Sequence, residues 1–207
     1  MKDLPLIILM LLVSFTALEV ANAIASDYTL NIFGNANMDN QIDEKDIAYI
    51  QGIINGTNKP TVLADADYNG KIDSKDIDRI KEIMAGQEKE IVVIDESGKT
   101  VTINEPVGRI VVCHAMFAEV LRSLGADDKI VGIPTYMENY TTFYPDLSKL
   151  PTVGGASTPD SEAIVSLKPD LVIVYGNWAE NMETDLKGVA PVLRLTYRPF
   201  STTDQDI

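Results

Sequence analysis

The chain of 207 residues has one cysteine, Cys113, one histidine, His114, and one tryptophan, Trp178. A single thiol excludes an internal disulfide, so any small unit of this protein needs another source of stability, and a bound metal is the natural one. A single histidine excludes a zinc centre built from several imidazoles. Basic residues are scarce, 17 Lys and Arg against 31 Asp and Glu, which leaves a net charge of −14 at pH 7. So acidic a surface repels polyphosphate and anionic bilayers, and nucleic acid is excluded as a partner. Long apolar runs are also missing. The one candidate, residues 4–18, is shorter than the roughly 20 residues a spanning helix needs. Lys2 precedes it and Ala21, Asn22 and Ala23 follow. That order describes a signal peptide over residues 1–25, cut after Ala23 or Ala25, and an exported protein at the cell surface, in a periplasm-equivalent space or secreted.

What is present divides near residue 88. Before it Asp and Asn are dense and the apolar residues are mostly Ile; after it β-rich runs alternate with helical patterns. The charged stretch 87–90 is the expected linker between a unit over 28–87 and another over 90–207.

The first unit repeats with a period of thirty. Residues 35–46 (NANMDNQIDEKD) align with 65–76 (DADYNGKIDSKD), and Ile47, Ile50, Ile53 and Gly56 align with Ile77, Ile80, Ile83 and Gly86. Each copy is a loop followed by an amphipathic helix, and the two apolar faces are expected to bury one another. A 12-residue calcium loop supplies oxygens from positions 1, 3, 5, 7, 9 and 12. In the first copy these are Asn35, Asn37, Asp39, the Gln41 carbonyl, Asp43 and Asp46. In the second they are Asp65, Asp67, Asn69, the Lys71 carbonyl, Asp73 and Asp76. Two calcium ions are expected, the second loop binding more tightly because it offers four carboxylates against three. Gly70 takes the sharp turn at position 6, and Asn40 is expected to take it at positive φ in the first copy. Ile42 and Ile72 at position 8 are expected to pair the loops through a short β contact. The plain alternative is two solvated acidic turns capping helices.

Position 12 is Asp rather than Glu, and neither loop follows a convincing helix, since Pro60 interrupts the approach to the second. Over residues 30–87 the segment resembles a dockerin, a small all-α module of duplicated calcium loop-helix units that binds a cohesin partner in secreted assemblies. The resemblance implies that calcium folds the module and that Glu44 and Lys45 in one repeat, with Ser74 and Lys75 in the other, meet a cohesin-like protein. Read from the residues alone, these four are exposed first-turn positions.

In the second unit, 91–94 and 100–103 suggest a hairpin, and 109–113, 129–133, 171–175 and 192–195 suggest buried strands. Helical patterns occupy 116–124, 161–167 and 180–187. Alternation of this kind implies an α/β domain with a parallel sheet. Residues 101–112 (VTINEPVGRIVV), 119–132 (EVLRSLGADDKIVG), 150–155 (LPTVGG), 159–164 (PDSEAI) and 167–172 (LKPDLV) resemble the N-terminal lobe of ABC-transporter substrate-binding proteins that collect iron-siderophore, haem or cobalamin complexes. In such a sheet ligands meet the loops at the carboxyl ends of the strands. Those positions are His114, Ala115, Met116, Tyr136, Asn177 and Trp178. His114 would hydrogen-bond or ligate a chelated metal, while Tyr136 and Trp178 would lie against a bulky complex. The competing readings are a locally satisfied His114 and a Trp178 that covers the lobe's own core. Cys113 points to the opposite face from His114 and is expected to be buried. Such proteins close two lobes, whereas the 118 residues after position 89 amount to one. A truncated or solitary lobe is therefore expected.

Two functions follow. One is a docked solute-binding protein that passes a metal chelate to the membrane subunits of an ABC importer. The other is a calcium-dependent scaffold or adhesion protein, polysaccharide-related or otherwise, with no small-molecule ligand. Paired acid/base carboxylates and nucleophile motifs are missing, so an enzyme is not expected.

Overall fold

The computed structural model describes residues 29–176 and 181–196. The expected signal peptide and the candidate ligand residues Asn177 and Trp178 lie outside the described residues.

Two loop-helix units open the structure. Helix α1 spans Glu44–Ile54 and helix α2 spans Ser74–Ala85. Both begin the same way. The caps Asp43 and Asp73 accept the N–H of Lys45 and Lys75, and Asp46 and Asp76 reach back to the cap backbone, completing a capping box in each repeat. Gly86, left-handed at φ 61°, stops α2. Ile50, Ile77 and Ile80 bury against Ala36, Ala64 and Ala66 between the helices. The full pairing of apolar faces is not realised. Ile54 and Met84 are 44% and 41% exposed, and Ile83 leaves this cluster for the core of the α/β unit. Of the last turn of α1, only Ile53 packs against this cluster.

The expected β contact between Ile42 and Ile72 is not among the bridges of the described residues. Both side chains instead pack on the helix core, where burial is worth more than one isolated bridge. Asn40 does not take positive φ either. Position 4 of each loop does so, Met38 at 60° and Tyr68 at 55°, along with Gly70 at 86°.

Strands β1 (Glu90–Ile94) and β2 (Thr100–Asn104) form the expected hairpin, in register from Glu90 opposite Asn104 to Ile94 opposite Thr100. Asp95 closes its turn: Oδ1 accepts the N–H of Ser97 and of Lys99. A third extended piece, unforeseen from the sequence, lies beside β1. Ile32 bridges Val93 in antiparallel fashion, Phe33 N–H donates to Val92 O at 2.9 Å, and Ile94 N–H donates to Asn31 O at 2.9 Å. Strand alternation then sends Leu30 and Ile32 into the core of the α/β unit and Phe33 to the other side, against Leu63. Of the stretch 87–90, Glu88 is buried at this junction, Glu90 is half-buried, and Gln87 and Lys89 are exposed. Glu88 is 7% exposed, and Arg79 Nη2 stands 3.7 Å from Glu90.

A parallel sheet of order β4-β3-β5-β6 follows, made of β3 (Ile110–Val112), β4 (Ile130–Gly132), β5 (Leu171–Tyr175) and β6 (Val192–Leu195). Helix α3 (Ala115–Ser123) covers one face and α4 (Ser161–Ser166) with α5 (Met182–Asp185) the other. Alternate strand residues part accordingly. Ile110, Val112, Leu171 and Ile173 join Phe117 and Leu121, while Val111, Cys113, Val172 and Val174 join Ile164, Met182 and Leu186. Burial on both faces explains why β3 and β5 read as apolar runs rich in Val and Ile without alternation. Cys113 is buried, as expected. No described helix is long and apolar enough to cross a membrane.

Candidate functional site

Two places concentrate polar or aromatic chemistry. The first is the pair of loops. In each, the position-12 carboxylate is buried and holds the loop closed. Asp46 accepts the N–H of Asn37 (3.0 Å) and of Asp43 (2.8 Å); Asp76 accepts the equivalent N–H of Asp67 (3.2 Å) and Asp73 (2.7 Å). Burial pushes the Asp46 carboxyl up to about 6, and Asp39 and Asp43 push the same way. Asp76 is raised by burial too, with Asp67 and Asp65 adding to it. In each loop the position-12 carboxylate therefore resists ionising, chiefly through its burial, a cost that a bound cation relieves.

The donor sets fit a hard divalent cation, being all oxygen. Carboxylate oxygens of Asp65, Asp67 and Asp76 lie within 4.8 Å of one another. In the first loop, Asn35 is fully buried and its Oδ1 has no hydrogen-bond partner. Asn37 Oδ1 caps the N–H of Asp39 and Asp39 Oδ1 that of Gln41; Asn69 Oδ1 caps Lys71 in the second copy. Glu44, Lys45, Ser74 and Lys75 are exposed on the first turns of α1 and α2, beside the loops.

The second place is the carboxyl end of β3 and β5. His114 caps α3: its Nδ1 accepts the Met116 N–H at 3.2 Å, so the neutral ring carries its proton on Nε2. Burial lowers the His114 pKa below its ordinary value, favouring that neutral form. Tyr136 Oη accepts the Ala115 N–H at 2.8 Å, which locks the loop after β4 to the start of α3. Burial raises the Tyr136 phenol. Thus His114, Ala115, Met116 and Tyr136 come together as expected from strand-end placement. The histidine serves as a cap and a potential Nε2 donor rather than a metal ligand through Nδ1.

Four aromatic residues of this cluster were not singled out from the sequence. The Tyr175 ring lies 5.1 Å from His114, and Phe117 lies 6.1 Å away. Tyr140 is 5.8 Å from Tyr136 and 6.4 Å from Tyr144, over which Arg122 sits at 5.0 Å. A spacing of four between Tyr136, Tyr140 and Tyr144 was visible, but this stretch has no helical pattern to draw attention to it. Arg122 is engaged by Glu119 (2.8 Å) and by Phe143 O (2.8 Å). The Cys113 thiol, pushed up to about 12 by burial, takes no part.

The α/β unit resembles a lobe of a periplasmic binding protein, and residues 110–205 match the model of that family, described as "Periplasmic binding protein". The Fe(3+)-citrate-binding protein YfmC of Bacillus subtilis (strain 168) is 34% identical over 126 residues, 55% of this chain and 35% of that protein. An uncharacterised ABC transporter substrate-binding lipoprotein of the same organism, YvrC, is 34% identical over 81 residues, 39% of this chain and 24% of that protein. Among solved structures, the molybdate periplasmic binding protein MolA of Haemophilus influenzae is 26% identical, with a TM-score of 0.47, over 52% of this chain and 35% of that one. The chain thus spans about a third or less of the curated relatives it matches.

Proposed function

We propose that this is an exported, non-catalytic solute-binding protein. Its α/β lobe receives a metal chelate, an iron-siderophore, haem or cobalamin complex, for the membrane subunits of an ABC importer. The observation that carries this reading is the convergence of His114, Tyr136 and Tyr175 at the carboxyl ends of a parallel sheet, within the segment that matches the binding-protein family. The name of YfmC, a ferric-citrate-binding protein, supports a chelated metal as ligand class. Aromatic rings and an Nε2 donor suit a flat or bulky complex. Titration of the full chain with ferric citrate, a ferric catecholate, haemin and cyanocobalamin, followed by calorimetry and by Trp178 fluorescence, tests it. Saturable binding of one supports the lobe's role; heat and fluorescence flat for all four overturn it.

The paired loops are read as a dockerin-like module that binds two calcium ions and docks the protein to a cohesin-like partner through Glu44, Lys45, Ser74 and Lys75. The all-oxygen donor sets and the orphaned Asn35 Oδ1 support it. Calorimetry with calcium chloride is expected to resolve two sites, and Asp76→Ala is expected to remove the tighter. A flat titration of the wild type overturns the reading. Duplicated exposed first turns also favour a second function, a calcium-dependent scaffold or adhesion protein with no small-molecule ligand. A cohesin retained in calcium and released by chelator, with all four chelates failing to bind, selects it.

A further inference from the structure

Residues 29–33 are held from two sides. Toward the first loop, Leu30 N–H donates to Asp39 O at 2.9 Å and Thr29 Oγ1 donates to Met38 O at 3.2 Å. Asn35 Nδ2 donates to both Leu30 O (2.8 Å) and Asp39 O (2.6 Å). Toward the hairpin, the same segment bridges Val93 through Ile32, and Leu30 and Ile32 are buried with Ile91, Val93, Ile103 and Ile110. Helix α2 presses on the turn between these attachments: a Cβ at Gly34 would stand 3.2 Å from Ile83 Cδ1. The Asn35 amide is the joint. With Nδ2 turned to the two carbonyls, Oδ1 must face the other way, and it is buried without a partner at position 1 of the loop.

We propose that a cation at the first loop acts through Asn35 and the 29–33 strand on the β1–β2 hairpin, so that calcium governs the stability of the α/β lobe as well as that of the loop-helix pair. The inference rests on the calcium reading of the loops. An ion bound at Oδ1 fixes the amide's orientation, and with it the carbonyls of Leu30 and Asp39. When the ion leaves, the carboxylates of Asp39, Asp43 and Asp46 repel one another and the loop opens. The strand then loses its anchor, and Leu30 and Ile32 are drawn from the core they share with the hairpin. The connection from α2 to β1 is short, Ala85 to Glu90, and carries the buried Glu88, so the two units are also tied through the chain. The two units open together.

Amide hydrogen exchange on the full chain, with and without calcium chloride, tests the coupling. Amides that exchange only through opening of a ligand-binding unit slow by one plus the ratio of free ligand to dissociation constant. At a hundredfold excess over that constant the factor is about a hundred. Residues 91–94 and 101–103 are expected to slow with residues 36–50 by a comparable factor. Asp46→Asn, which weakens the first loop, and Ile32→Ala, which keeps the loop and loosens the strand, are each expected to cut the hairpin's gain at least about tenfold. The Ile32→Ala protein is expected still to bind calcium by calorimetry. Binding heat with protection confined to residues 35–86 overturns the coupling and leaves the calcium reading intact. No heat and no protection anywhere overturns both.

Discussion

The carboxylate of Asp170 accepts the backbone N–H of Arg109 at 2.9 Å, and the Arg109 guanidinium answers by donating from Nη2 to Leu167 O at 2.6 Å. Gly108 N–H donates to the same Asp170 oxygen at 2.9 Å. The starts of β3 and β5 are thereby clamped at the end of the sheet opposite the aromatic cluster. Asp170→Ala is expected to lower stability by about 1 kcal/mol, because water replaces only part of what the two amides lose. Urea denaturation should show a lower midpoint with an unchanged slope. Asp170→Asn, which keeps an acceptor oxygen, should lose less.

Gly154 sits at φ 86°, and a Cβ there would stand 2.7 Å from Thr158 O and 2.8 Å from Asp160 N, both backbone atoms that cannot step aside. Gly98, at φ 78°, has nothing within 4 Å of its added Cβ. Gly98→Ala should therefore cost only the left-handed strain, about 1–2 kcal/mol. Gly154→Ala should cost more than that, and the comparison of the two thermal midpoints isolates the clash.

Glu88 is buried with neither carboxylate oxygen hydrogen-bonded to another side chain or backbone donor. Burial raises its pKa above the ordinary value, against the nearby Arg79. A raised pKa means the folded state holds the proton more tightly than the unfolded chain. Its contribution is full below the ordinary 4.5 and is lost as pH rises through the folded value. At neutral pH the buried charge is a net cost. Glu88→Gln is expected to raise the melting temperature at about pH 7 and to lose that advantage at about pH 4.

His114 titrates in the opposite sense. Its folded pKa lies below the ordinary 6.5, so the folded state holds the proton less tightly. Stability is flat above 6.5 and falls as pH drops through it toward the lower folded value. Protonation removes the Nδ1 lone pair that caps Met116. His114→Asn, which keeps a capping acceptor, is expected to abolish this part of the pH dependence in thermal melts between about pH 5 and 7.

Much of this architecture is legible in residue order. The β-branched runs mark β3 and β5, and the isoleucine spacing after each loop marks α1 and α2, because those signals need only a few adjacent residues or a period of 3.6. Capping boxes at Asp43 and Asp73 follow from the same repeat that spaces the loop oxygens. The rule that ligands meet strand ends selects His114, Ala115, Met116 and Tyr136 with no contact between them needed.

Other features carry no local signal. Leu30, Ile32 and Phe33 form too short a run to announce a strand, and only pairing with β1, some 60 positions later, makes them one. Ile83 looks identical to its repeat mate Ile53, yet it enters the lobe's core because the chain beyond Gly86 folds back at once into β1. Tyr175 joins His114 only because β3 and β5 are neighbours in the sheet. Periodicity is a property of adjacent residues and survives in the bare string. Which apolar face meets which is a competition among contacts distant in sequence, resolved when the whole chain packs.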